Sequence, residues 1–339
     1  MRWGSFALIA ICAVGMVASA ILPAQTRARS QPRAVEREIR IGVGHGIAFL
    51  PLYIAQEQKL LDKHAKAAGL ASRIVVQRFN TAEPLHRAMA KGEIAAGAFG
   101  LATVLLTRDT SNTLVALSGL TTLPLSLLTA RNLKSLADLR AGDRIAVPTS
   151  SGPQVTYLRV HADKTFFGAW NRLRPQVMVT AHQDAVDALT QGKSNVAAYF
   201  ASPPFTQMAK KDPKVRVMLT SEDIMGGKTS FLVMAASAEA LSAQPKLAEV
   251  LSKAIDEASR IIRTDSRRAA ATWLKFEPSS TLDVNAVDGI LRELKDDFGS
   301  GVYGVEATAA LMSRDGRLKN MPASWKDIVA PILAAGSGS

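Results

Sequence analysis

The sequence predicts an α/β fold of two lobes joined by a hinge, with a helical C-terminal region, and three observations carry that prediction. From Glu38 a short β-rich run, a small-residue turn and an amphipathic helix repeat in that order, which implies strands covered by helices on both faces. The long apolar, extended stretch Leu114 to Ala130, with Thr121, Thr122 and Pro124 in its middle, breaks the rhythm and reads as a strand crossing between lobes. A second extended passage, Val215 to Leu219 and then Ser230 to Ala236, is able to bring the chain back.

Each element has its own local reason. Ile39 to Val43 alternates as a strand, and the helix after it opens at Pro51, where proline suits the first turn. Arg73 to Phe79 is a second strand, Ala82 to Lys91 a helix stopped by Gly92, Ile94 to Phe99 a third strand, and Gly100 opens a helix through Thr107. The same Rossmann-like sentence restarts after the crossing. Arg144 to Pro148, Gln176 to Thr180 and Val196 to Phe200 are strands, and Pro153 to Phe167 and Gln183 to Gln191 are helices. Both sheets are expected to be mostly parallel. Helices are expected at Pro245 to Phe276, Leu282 to Asp297, Val305 to Ser313 and Trp325 to Leu333. In the first of these Leu247, Val250, Leu251, Ala254, Ala258, Ile261 and Ile262 form a core-facing stripe. The predicted organisation is therefore a signal at 1–20, a flexible leader at 21–37, one lobe from 38–125 and 226–335, the other from 126–225, and a flexible tail at 336–339.

The first twenty residues point to export. Arg2, the apolar run Phe6 to Val17 and Ala18-Ser19-Ala20 form the pattern of a cleaved secretory signal, with the mature chain starting near Ile21. A membrane anchor is the competing reading, but the run is shorter than a span of about 20 residues and ends at Pro23 and Arg27. Cys12 is the only cysteine and lies inside the apolar run, so a mature chain has no disulfide, no cysteine-ligated metal and no cysteine nucleophile. The formal charge of +12 is dispersed, without the aromatic interleaving of single-strand binders, which argues for a solvated basic surface and against a nucleic-acid partner.

In open α/β sheets ligands sit beyond the carboxyl ends of the strands. The strongest such turn is Thr149 to Pro153, where Ser150, Ser151 and Gly152 offer hydroxyls and free helix N–H groups to an anion or polar head group, although Ser151 as a plain helix cap explains part of it. His45 and Gly46 form the matching turn in the other half. Phe49 is placed to stack on a ligand or to fill the core, and Gly100 to let a ligand approach or to start a helix. Thr121 lies on the crossing strand, and His182 and Ser202 end two strands of the second half. Catalytic templates fit poorly. The chain has no G-x-S-x-G, H-E-x-x-H or Walker loop, Gly42 to Gly46 lacks the final glycine of a G-x-G-x-x-G turn, and paired carboxylates are scarce at strand ends. The residues describe a cleft that binds, with no catalytic residue, no metal and no cofactor.

These turns, in this order, resemble the periplasmic solute-binding proteins of the nitrate, sulfonate and taurine ABC-importer family, which includes thiamine-pyrimidine binders. The resemblance runs through Ile39 to Val43 with Leu50 to Ala55, Met89 to Ala95, Leu136 to Val147, and Gly316 to Leu318 before Pro322 to Lys326. It implies a type-2 periplasmic-binding-protein fold and a monomer that captures a small oxygenated solute, anionic or aromatic, and delivers it to an ABC permease at the inner membrane. Two departures bear on the solute. Leu101 and Ala102 stand where sulfonate binders often carry serines, and Ser202 stands where taurine binders often carry an acidic residue. Two rivals share the fold: an enzyme like the pyrimidine synthases, which rely on a cysteine-rich motif, and a binding module that feeds a membrane sensor.

Overall fold

The computed structural model describes residues 38–80, 82–111, 114–130, 133–150, 152–166, 170–192, 194–336 and 338–339. The expected signal and leader, Cys12 and Ser151 lie outside the described residues.

Among the described residues, ten strands form two five-stranded sheets of matching design. The first contains β1 (Glu38–Val43), β2 (Arg73–Arg78), β3 (Ala96–Gly100), β4 (Leu114–Thr121) and β10 (Leu232–Ser237), in the order β2-β1-β3-β10-β4. The second contains β5 (Ser126–Thr129), β6 (Arg144–Val147), β7 (Val177–Val179), β8 (Val196–Ala201) and β9 (Arg216–Thr220), in the order β7-β6-β8-β5-β9. The chain runs from β4 through residues 122–125 straight into β5 and returns from β9 to β10, so both extended passages cross between sheets as their composition predicts. A short helix, Ser221–Met225, interrupts the second crossing. Its capping box joins Thr220 and Asp223, and Gly226 closes it in the left-handed region at φ 81°.

The sheets are mixed rather than mostly parallel. β1 pairs in parallel with β2 and β3, and β6 with β7 and β8, but β10 and β5 run antiparallel to both of their neighbours. The reason is topological. β5 and β10 each enter their sheet from the other lobe, beginning at the end where the remaining strands finish.

Period-two alternation builds the cores on both faces of each sheet. Leu127, Ile145 and Phe200 are buried on one side of the second sheet, while Leu128, Ala146 and Tyr199 are buried on the other. In the first sheet, Ile41, Leu117 and Met234 pack with the buried stripe Leu247, Val250, Leu251, Ala254, Ala258 and Ile262. Ile261 sits at the margin of that cluster.

Three helical expectations change. The long C-terminal helix is two, Leu247–Thr264 and Ser266–Phe276, because Asp265 leaves helical geometry at φ −144° and its side chain caps Arg268 N at 3.1 Å. The predicted helix at 282–297 is α-helical only over Val284–Leu294. Trp325 to Leu333 forms two 3-10 turns, since Pro331 holds Ala330 extended at ψ 143°. The residues that read as a free tail are bonded: Gly338 bridges to Val302, and Ser339 O accepts Val305 N–H at 2.7 Å.

Candidate functional site

Because β1, β2 and β3 are parallel, the turn after β1, Arg78 and Gly100 share one end of the first sheet. The ends of β6, β7 and β8 place residues 148–150 and 152, 180–182 and 202 together in the second sheet. These two ends face each other, since a Cβ added at Gly100 would stand 3.6 Å from Pro153 Cγ across the lobes. The helix beginning at Pro153 thus points its first turn at the other lobe. Gly152 O accepts Thr156 N–H at 3.2 Å, which makes Gly152 the half-in residue of that helix. A side chain on Gly152 would collide with Thr149 Oγ1, so the turn is tight by necessity, and Thr149 and Ser150 remain exposed beside it.

His182 and Ser202 come together. His182 Nδ1 meets Tyr199 OH in a very short contact, and Nε2 lies 3.4 Å from Ser202 Oγ. A neutral ring satisfies both partners, because the Tyr199 and Ser202 hydroxyls can each donate or accept. Phe205 stacks on the imidazole at 4.6 Å and 5°. Burial pushes the His182 pKa down to about 4 and raises that of the Tyr199 phenol.

In the other lobe a residue far away in sequence organises the His45-Gly46 turn. Glu277, only 17% exposed, directs Oε1 at Gly46 N–H (2.9 Å), Tyr53 OH (2.6 Å) and His45 Nδ1 (3.4 Å). Gly46 sits at φ 113°, ψ 172°, a conformation open to glycine and strained for other residues, and this geometry turns its N–H toward the carboxylate. Tyr53 stacks on Phe276 at 4.9 Å, and the Arg78 guanidinium lies 5.9 and 5.7 Å from these two ring centres while donating to Phe276 O at 2.7 Å. Burial first, then the Glu277 carboxylate, raises the pKa of Tyr53.

The remaining candidates take other places. Phe49 is buried in the first lobe's core with its ring against Gly44. Thr121 is 2% exposed, its O accepts Phe231 N–H at 2.8 Å, and its hydroxyl makes no hydrogen bond. Just beyond it, Thr122 Oγ1 and Lys228 Nζ, one from each crossing, both reach Asp297 Oδ1, at 3.2 and 2.9 Å.

Sequence reasoning missed Glu277, Tyr53, Arg78 and Tyr199, and reached Phe205 only as the end of the turn from Ala201. Only Phe205 carried a local signal, as the aromatic residue after the Pro203-Pro204 turn. Glu277 precedes Pro278 and so reads simply as a helix end.

A separate cavity of about 500 Å³ is lined by Asp256, Arg263, Asp296, Ser300, Tyr303 and Trp325 among others. Its walls come from one lobe and the start of a crossing, so lobe movement would not enclose a solute there. Among the described residues, no group of three or more His, Cys, Asp or Glu side chains is placed to hold a metal ion, and no helix is long and apolar enough to cross a membrane.

No family model matches this sequence, and no curated protein matches it. Solved structures do match. The alkanesulfonate-binding protein SsuA from Xanthomonas axonopodis pv. citri, bound to MOPS, is 19% identical with a TM-score of 0.65, covering 88% of this chain and 98% of its own. The periplasmic aliphatic sulphonate binding protein SsuA from Escherichia coli is 19% identical with a TM-score of 0.63, covering 84% and 89%. The periplasmic nitrate-binding protein NrtA from Synechocystis PCC 6803 is 12% identical with a TM-score of 0.63, covering 90% and 86%. At this identity the likeness establishes the fold. It is the type-2 periplasmic-binding-protein fold, as the resemblance in the sequence implies.

Proposed function

We propose that this chain is the periplasmic solute-binding component of an ABC importer, exported by a cleaved signal, which captures a small oxygenated solute between its lobes and hands it to a membrane permease. The observation that carries this reading is the pairing of two like-built sheets whose strand ends face each other across Gly100 and Pro153, with two crossings between them among the described residues. Such a frame lets one lobe close on the other, and a bound solute supplies the contacts that favour the closed state. The solved structures similar in fold include proteins described as binding sulfonates and nitrate, which supports transport over catalysis. The polar groups at the strand ends, Thr149, Ser150, His182, Ser202 and His45 with Glu277, suit a solute that is held by hydrogen bonds.

Thermal unfolding of the mature protein, against a panel of nitrate, alkyl and aryl sulfonates, taurine, aromatic carboxylates and thiamine pyrimidines, tests the reading. A solute at 100 times its dissociation constant adds about 2.7 kcal/mol to stability and shifts the melting temperature clearly upward. Absence of any shift, across this panel and a broad panel of small metabolites, counts against solute binding.

A further inference from the structure

We infer that Glu277 sets the chemical polarity of the first lobe's side of the cleft, so that the solute carries an amine or ammonium group directed at this carboxylate; the inference rests on the solute-binding reading. Where a loop leads from a strand end into helical structure, free N–H groups are the usual donors to an anionic head group. At the end of β1 the Gly46 N–H is already in use. Gly46 N–H bonds to Glu277 Oε1, and Tyr53 OH and His45 hold the same oxygen. An anion approaching this turn would have to displace a mostly buried carboxylate and then sit beside its negative charge, which in a partly desolvated site is unfavourable.

Beside the Arg78 guanidinium, the corner still offers acceptors. Glu277 Oε2 takes no hydrogen bond from a described residue, and an ionised carboxylate has lone pairs to spare. Gly44 O stands close by, 3.2 Å from Tyr53 OH. The stacked Tyr53 and Phe276 rings already accommodate a cation in this corner, the guanidinium of Arg78, and that group is engaged with Phe276 O. The far side of the cleft is the opposite, with the first turn of the helix from Pro153 and the exposed hydroxyls of Thr149 and Ser150 presenting donors. A solute spanning both sides is therefore bipolar, with an oxyanion toward Thr149, Ser150 and Gly152 and an amine toward Glu277. Ser202 in place of an acidic residue removes one possible ammonium partner from the second lobe, and Glu277 supplies one from the first.

Matched pairs test this. Taurine against isethionate, β-alanine against 3-hydroxypropionate, and 4-(aminomethyl)benzoate against 4-(hydroxymethyl)benzoate are titrated calorimetrically into the wild type and Glu277→Gln. Glutamine keeps an oxygen for Gly46 and Tyr53 but carries no charge, so a strut role survives the change and an ammonium-binding role does not. The expected result is that the amine of at least one pair binds the wild type about tenfold or more tightly than its alcohol twin, as for a hydrogen bond to a charged group. That preference then falls to less than about threefold in Glu277→Gln, with its melting temperature recorded to show that it folds. If alcohols bind the wild type as well as amines do, or if the amine preference persists in Glu277→Gln, the inference is wrong while solute binding stands. If no member of any pair binds the wild type, the amine inference fails, and binding by anions in the wider panel then decides the solute-binding reading separately.

Discussion

His182 shows how a single partly buried side chain ties the cleft to pH. Its ordinary pKa of 6.5 falls to about 4 in the fold because burial penalises the imidazolium. Above pH 6.5 the ring is neutral in both folded and unfolded chains and makes no difference. As the pH drops from 6.5 toward 4, the unfolded chain takes up a proton that the folded one refuses, so stability is lost through that window, up to about 3 kcal/mol. Replacing the ring by glutamine removes this dependence. Urea unfolding at pH 7 and pH 4.5 is expected to show that His182→Gln loses less stability over that interval than the wild type, by about 2 kcal/mol. An identical loss in both proteins would mean that the ring protonates in place. The neighbours that create this effect, Tyr199 and Phe205, come from β8 and the turn after it, and neither advertises itself to a reader of His182.

At the scale of elements, capping decides more than periodicity. The apolar stripe of Leu247 to Ile262 continues into Ala269, Ala270 and Trp273, and read by burial alone it makes one helix. Asp265 divides it, because a side chain that accepts Arg268 N–H offers the backbone a better end than another helical turn. Asp265→Ala is expected to cost about 1 kcal/mol, measured as a lowered denaturation midpoint with unchanged slope. A neutral result would show that packing of the two helices sets the break without the cap. The break also aims the second helix so that its last residues, Phe276 and Glu277, arrive at the turn after β1. Likewise the antiparallel setting of β5 and β10 follows from where the chain enters each sheet, which no local pattern encodes.

At the scale of the whole molecule, two sets of polar contacts span the lobes. Arg159, on the helix from Pro153, reaches Asp315 Oδ2 at 3.2 Å, with Arg317 pairing the same oxygen at 2.7 Å. Elsewhere between the lobes, Lys210 and Gln207 lie 3.7 and 3.4 Å from Glu293. Opening the lobes would break these contacts, so they favour the compact arrangement even without solute. The double variant Arg159→Ala with Lys210→Ala is expected to have a larger radius of gyration than the wild type by small-angle scattering of the unliganded protein. It should also bind solute more weakly, because less of the population is competent. Equal radii would show that the crossings alone set the lobe positions. Both crossings are anchored, Thr122 and Lys228 on Asp297, and Leu125 on Ser221, whose Oγ accepts its N–H at 3.1 Å and whose N–H donates to its O at 2.8 Å.

By itself the sequence determined the α/β class, nearly every strand, the doubled arrangement and both crossings. All of these follow from hydrophobic period and from turn residues acting on their immediate neighbours. It also marked His182, Ser202 and the turn at 149–153 as strand-end groups, since that position is a property of the local βα order. Only the tertiary structure decided that Glu277 closes the turn after β1 and that Phe49 fills the core. It alone set Arg159 against Asp315. Each of these is a meeting of segments far apart in the chain, fixed by how helices pack once the sheets exist, and contacts of that range leave no periodic trace in the residues that make them.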